Sequence, residues 1–140
     1  MASITAIRDA IQVRLATVSN LHAYDVATGG GERLPCAIVF PAGSKRETPS
    51  GTYRYRFVVE VSVAPTPLAR AQDLMDGYVD PNSATSIRAA LEGDKTLAGT
   101  VDWAVVDEDD WVGDYGFGSL NAEPAAANCL MTRIPVEVMA

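Results

Sequence analysis

The sequence holds one histidine, two cysteines and no apolar run near the roughly 20 residues that cross a bilayer as a helix. Each scarcity removes a class of function. A Ser-His-Asp arrangement would have to use His22, which lies in a short strand-like stretch, and no G-x-S-x-G elbow accompanies it. Gly116-Phe117-Gly118-Ser119 does not match that pattern. His22 therefore reads as a surface or half-buried strand residue. Cys36 and Cys129 are far apart and belong to no C-x-x-C pair, which argues against a thiolate metal site. Both sit in apolar strand-like runs and read as buried, reduced thiols rather than a disulfide. The N-terminus shows no basic segment followed by an apolar core, so synthesis in the cytoplasm is expected. Cations are scarce as well, 11 Lys and Arg against 18 Asp and Glu, for a net charge of −7. That balance disfavours binding by neutralisation of phosphates. It suits a surface that DNA passes without sticking, because like charges repel.

What is present is the pattern of a single globular domain. A chain of 140 residues with 48% hydrophobic content can bury a core. Its organising stretch is Tyr53 to Ala64. Tyr53, Tyr55, Phe57, Val59, Val61 and Val63 are apolar, while Arg54, Arg56, Glu60 and Ser62 alternate with them. Side chains of a strand point to opposite faces in turn, so this is a strand with one continuous apolar face. Fully extended it would span about 40 Å, more than the typical strand of about 5–6 residues. One end is expected to reach past the sheet.

Ahead of it, Ser3 to Ser19 reads as a helix. Ile4, Ile7, Ile11, Leu15 and Val18 recur at steps of three and four, and Ser3 is a suitable cap. Leu21 to Ala27 is a short strand, Gly29 to Gly31 a turn, and Leu34 to Phe40 a strand ended by Pro41. Ala42 to Thr52 is polar, charged and longer than the usual hairpin loop of about 2–5 residues. It reads as the tip of a hairpin projecting over residues 42–56.

After the long strand, Thr66 and Pro67 open a second helix with Leu68, Ala71, Leu74, Met75 and Tyr78 on its buried stripe. Asp80-Pro81 stops it. Asn82 or Ser83 caps a short third helix that ends at Gly93. Val101 to Asp107 is a strand with Val101, Trp103 and Val105 on one face. The segment 108–124 is irregular and glycine-rich, and Asn128 to Val138 is the closing strand, an edge or bulged at Pro135. The expected fold is α+β, in the order α-β-β-β-α-α-β-β. It has a mainly antiparallel sheet of about four to five strands, with the helices on the face that holds Tyr55, Phe57, Val59 and Val61.

Few motifs promise chemistry. Gly29-Gly30-Gly31 leads into Glu32-Arg33-Leu34-Pro35 and a strand, not into the Lys-Ser/Thr and helix of a P-loop. The densest charge cluster is Asp107, Glu108, Asp109 and Asp110. A solvated loop is its plain reading; a charged interface or channel lining, and a metal site, are the alternatives. Gly113 falls in the wrong place for a calcium loop. Tyr53-Arg54-Tyr55-Arg56 interleaves rings and cations, but alternation sends them to opposite faces, which weakens a stacking platform for bases. The arginines fit better as partners of acidic side chains on a neighbouring strand or subunit.

The layout nevertheless resembles a known family. An amphipathic helix opens with Ile4-Thr5-Ala6-Ile7-Arg8-Asp9. A sheet strand runs directly into a helix carrying Asp73-Leu74-Met75-Asp76-Gly77-Tyr78-Val79-Asp80. Ser86-Ile87-Arg88-Ala89-Ala90-Leu91-Glu92, the stretch Asp94 to Val101, a glycine-rich segment and a final strand follow. Together these resemble the tail terminator (tail completion) proteins of long-tailed bacteriophages. The resemblance implies a virion structural protein, not an enzyme, with no cofactor and no metal. It would form a ring, usually six-fold, on the head-proximal end of the tail tube, stop tube growth and meet the head–tail connector protein. Its partners would be copies of itself, the tail tube protein and the connector, with DNA passing through the channel unbound and no membrane involved. Lys45, Arg46, Glu47, Tyr53, Arg54 and Arg56 are then expected at a subunit interface, where a ring needs head-to-tail contacts. Asp107 to Asp110 are expected to line the channel or meet those cations. The alternatives are another head–tail joining or tail tube subunit, and a small metal-binding domain that uses residues 107–110.

Overall fold

The computed structural model describes residues 2–24, 33–49, 51–65, 67–106, 112, 114–119 and 128–140. The elements run α1 (Ile4–Leu15), β1 (His22–Tyr24), β2 (Cys36–Arg46), β3 (Tyr53–Val63), α2 (Leu68–Val79), α3 (Ile87–Glu92), β4 (Trp103–Val106), β5 (Tyr115–Ser119) and β6 (Asn128–Met139). The strands form one mixed sheet in the order β1-β2-β3-β6-β4, with β5 also paired to β6. This is the expected α+β class. None of the described helices is long and apolar enough to cross a membrane.

One face of the sheet and the three helices make the main core. Ala37, Val39, Phe57, Val59, Val61, Ile134, Val136 and Val138 meet Ile7, Ile11 and Leu15 of α1, Ala71, Met75 and Tyr78 of α2, and Ile87 and Leu91 of α3. The periodicities that predicted these stripes follow from side-chain geometry, every second residue in strands and every third or fourth in helices. Local signals act where expected at α1, whose Ser3 hydroxyl accepts from the Ala6 N–H at 3.1 Å. At α3 the cap is Ser86, three residues on from Ser83, and its hydroxyl accepts from the Ala89 N–H. At α2 Pro67 holds the cap position without a side-chain bond, and Thr66 lies outside the described residues. Arg14 of α1 donates through Nε to the Ala90 carbonyl at 2.9 Å and so ties α1 to α3.

Several strand boundaries differ from expectation for tertiary reasons. Pro41 does not end β2, which continues to Arg46. β1 pairs with β2 only as far as Ile38, so outward from Val39 one edge of β2 carries no described strand, and an edge tolerates the missing proline donor. The register against β3 shifts between Pro41 and Gly43, and Gly43 adopts a φ of +128°, open to glycine. β1 and β2 run parallel, not antiparallel. The link 25–35 is near the dozen or so residues that a parallel return needs. In β4 the buried side chains are Ala104 and Val106, while Trp103 and Val105 are half-buried. A further strand, β5, arises within the stretch expected to be irregular, and Tyr115 to Ser119 pair antiparallel with Thr132 to Asn128 of β6.

Pro135 is an interior-strand proline with a local reason. β4 pairs with β6 over Val136 to Met139 and β5 over Asn128 to Thr132. Residues 133–135 fall between those two partners, so the missing N–H meets a gap in the ladder.

Candidate functional site

The outer rows of the sheet carry the residues singled out for an interface. Opposite β3, Arg46 pairs with Tyr53, Lys45 with Arg54, Ser44 with Tyr55 and Gly43 with Arg56. On its other side, Arg54 pairs with Met139, Tyr55 with Val138 and Arg56 with Glu137. Tyr53 and Ala140 exchange both backbone hydrogen bonds at 3.0 Å. The hairpin expected to project over residues 42–56 is therefore part of the sheet as far as Tyr53. Past that row the Glu47 N–H still donates to the Thr52 carbonyl at 2.8 Å. The cause is β6, which reaches Met139 and closes the second edge of β3. Tyr53 is accordingly half-buried rather than exposed.

Alternation sorts this arm into two faces. Tyr55 packs onto the helix-side core, and the Tyr53 ring lies 6.2 Å from it between centroids. Arg46 lies over the Tyr53 ring at 5.7 Å and donates through Nη2 to its hydroxyl at 3.1 Å. The opposite face, away from the three described helices, carries charge. Lys45 and Arg54 stand opposite each other, a repulsive arrangement that Glu47 relieves by bridging both at 3.2 Å. Glu137 lies between Arg54 at 3.8 Å and Arg56 at 3.1 Å. Arg54 also sits over the Trp103 ring of β4 at 5.7 Å, within cation–π range. These charges enclose a cleft of about 310 Å³ between Gly43, Lys45, Arg54, Tyr55, Arg56 and Glu137. Lys45 is 66% exposed and Arg56 52%, so their pairs are worth little to stability and their heads face solvent.

Further in, side chains on this same face are buried. Glu60 and Ser62, polar positions that alternation sends to solvent, are both buried. Glu60 is paired with Arg133 at 3.6 Å. Cys36 and Cys129 are buried and pack with Ile38 on this face. Burial pushes the Cys129 thiol pKa up, and the Glu60 carboxylate adds to the rise. His22 is exposed on β1, its backbone N–H bonded to the Pro35 carbonyl. Among the described residues no three His, Cys, Asp or Glu side chains gather as metal ligands. The run Asp107 to Asp110 lies outside the described residues.

Glu137, Trp103 and Met139 complete the arm, and sequence reasoning did not single them out. Arg56 and Glu137 are 81 residues apart in the chain, and only the β3–β6 register brings them together. The usable signal was the single acid in β6 at a position alternating with Arg133. Of the expected interface set, the structure brings Lys45, Glu47, Arg54 and Arg56 onto one face and Arg46 and Tyr53 onto the other. The chain matches no protein-family model and no curated protein.

Proposed function

We propose that the chain is a structural protein of a bacteriophage virion, a ring-forming subunit on the head-proximal end of the tail tube that ends tube growth and meets the head connector. The observation that carries this reading is the arm. Four cations, Lys45, Arg46, Arg54 and Arg56, are held in place by in-chain pairing on the outermost rows of a sheet. They stand on a chain with a net charge of −7. On one face Lys45, Arg54 and Arg56 outnumber Glu47 and Glu137, and such a local excess of cations on an acidic body suits a head-to-tail contact between identical subunits. The resemblance in layout to tail terminators supplies the setting. The acidic body suits a channel through which DNA passes.

Native mass spectrometry of the purified protein, alone and with tail tubes, tests the proposal. A closed ring of defined subunit number, formed in solution or on the tube end, is the expected result. Phage particles lacking this chain should carry over-long tails. A chain that stays monomeric at high concentration and ignores tail tubes overturns the reading.

A further inference from the structure

Charge along this chain is strongly segregated. Four of its 11 cations lie on the arm between Lys45 and Arg56. Between Lys95 and Arg133 there is no cation at all but seven Asp and Glu residues, four of them consecutive at Asp107 to Asp110. The sheet register shows where that acidic stretch joins the body. β4 starts with Trp103 on the Arg54 row and ends with Val106 opposite Val136, on the Phe57 row, so it runs away from the arm tip. The stretch returns at Asp114, whose carbonyl accepts from Thr132 Oγ1 at 2.7 Å, and Tyr115 pairs with Thr132, further still from the arm. Both flanks of the acidic run thus stand on the body side of the cationic rows. The described flanks and the cationic rows occupy different stations along one sheet, and a heterologous contact joins one surface of a copy to a different surface of the next.

The cleft has a matching chemistry. Its cations are pre-positioned by Glu47 and Glu137, which lowers the side-chain entropy lost on binding a carboxylate. Arg56, already held by Glu137 at 3.1 Å, keeps its side chain 52% exposed beside Lys45. Beside the cations on the same face stand half-buried Trp103 and Met139, residue types that anchor protein interfaces. In the chain the four acids are followed at once by an aromatic residue, Trp111. A charged run flanked by an aromatic side chain answers a charged cleft flanked by one.

We propose that the cleft between Gly43, Lys45, Arg54, Arg56 and Glu137 is the socket for the acidic run Asp107–Asp110 of a second copy of this chain. The proposal deepens the assembly reading above and rests on it for the identity of the partner.

Fluorescence anisotropy tests the socket directly. A labelled peptide of residues 107–114 is titrated with the full-length chain carrying D107N, E108Q, D109N and D110N, so that its own run does not compete. Saturable binding is expected, weakened about tenfold or more by K45E with R56E and by raising salt from about 50 to 300 mM. Absence of binding overturns the socket, as does binding that ignores the two reversals. A single-stranded oligonucleotide of equal charge that displaces the peptide at lower concentration also overturns it, because the face then takes nucleic acid.

Charge exchange gives an independent arm. K45E with R56E, and separately D107K with D109K, should each abolish self-association while leaving the chain folded, with a cooperative denaturation transition. The two variants mixed should co-assemble in alternation, since each reversed surface meets its complement on the other, and all four substitutions in one chain should restore assembly. A ring whose subunit number survives both reversals overturns the socket and leaves the ring reading standing. Peptide capture by a chain that never forms rings supports the socket and overturns the ring reading.

Discussion

The inner and outer halves of β3 share partners and backbone pairing but live in different surroundings. In the inner half, Phe57, Val59, Val61 and Val63 are buried in the helix-side core, and Glu60 and Ser62 are buried on the other face, where Glu60 pairs with Arg133 and the cysteine cluster lies alongside. From Tyr53 to Arg56 the strand has the same neighbours, β2 and β6, and a ladder as continuous. Only the tyrosine face keeps some cover. Strand pairing alone does not bury a side chain. The inner half therefore holds the fold, and the outer half carries side chains whose replacement leaves the fold intact.

The largest test of this contrast is Phe57→Ala. Phe57 is 1% exposed, and its loss should cost about 3–5 kcal/mol, read as a lower midpoint in denaturant unfolding. A loss no greater than that of an arm residue would break the comparison.

Alkali offers a smaller effect on the inner half. Burial raises the pKa of the Tyr78 hydroxyl, and burial with the charge of Glu60 raises that of the Cys129 thiol. Folded chains then hold protons that unfolded chains release. The stabilisation from both groups is complete below their unfolded values and is lost as the pH rises through the raised folded ones. Stability should fall from about pH 8.5 upward, first through the thiol. In Cys129→Ala the onset should move up toward the tyrosine range. Thermal melts at stepped pH measure this, and an unchanged onset would remove the thiol from the account.

The smallest change in stability belongs to the outer half. Arg56→Ala should shift the unfolding free energy by less than about 1 kcal/mol, because exposed ion pairs contribute little. The same substitution should still weaken capture of the acidic peptide. A large loss of stability would mean that the arm supports the fold after all.

How much of this was written in the sequence depends on distance along the chain. α1 was legible to its cap, because Ser3 and the Ile7, Ile11, Leu15 stripe are local signals. The helix-side face of β3 was legible from alternation. β5 was not, because Gly116 and Gly118 carry no strand signature and the strand exists through its pairing with β6. Pro41 read as a stop because sequence does not show which strand edge lies open. The site divided in the same way. Lys45, Arg54 and Arg56 stood out as a basic run beside a turn. Glu137 and Trp103, which orient them, arrive from strands distant in sequence. Glu60 read as a solvent residue because alternation marks a face without saying whether that face is covered.

The β3–β6 pairing also bears on how the chain reaches its native state. Contacts between residues as far apart as Arg56 and Glu137 close a large loop, and such closure is the slow kind of step in folding. The β2–β3 hairpin is local and can form early, but it then presents a long strand with an open edge, the arrangement most prone to pairing with another chain. β6 is the strand that ends this exposure, and it does so along β3 from Val63 out to Arg54. Until residues 130–139 arrive, the arm is a liability for aggregation; once they are paired, its backbone is satisfied and only its side chains remain available to a partner.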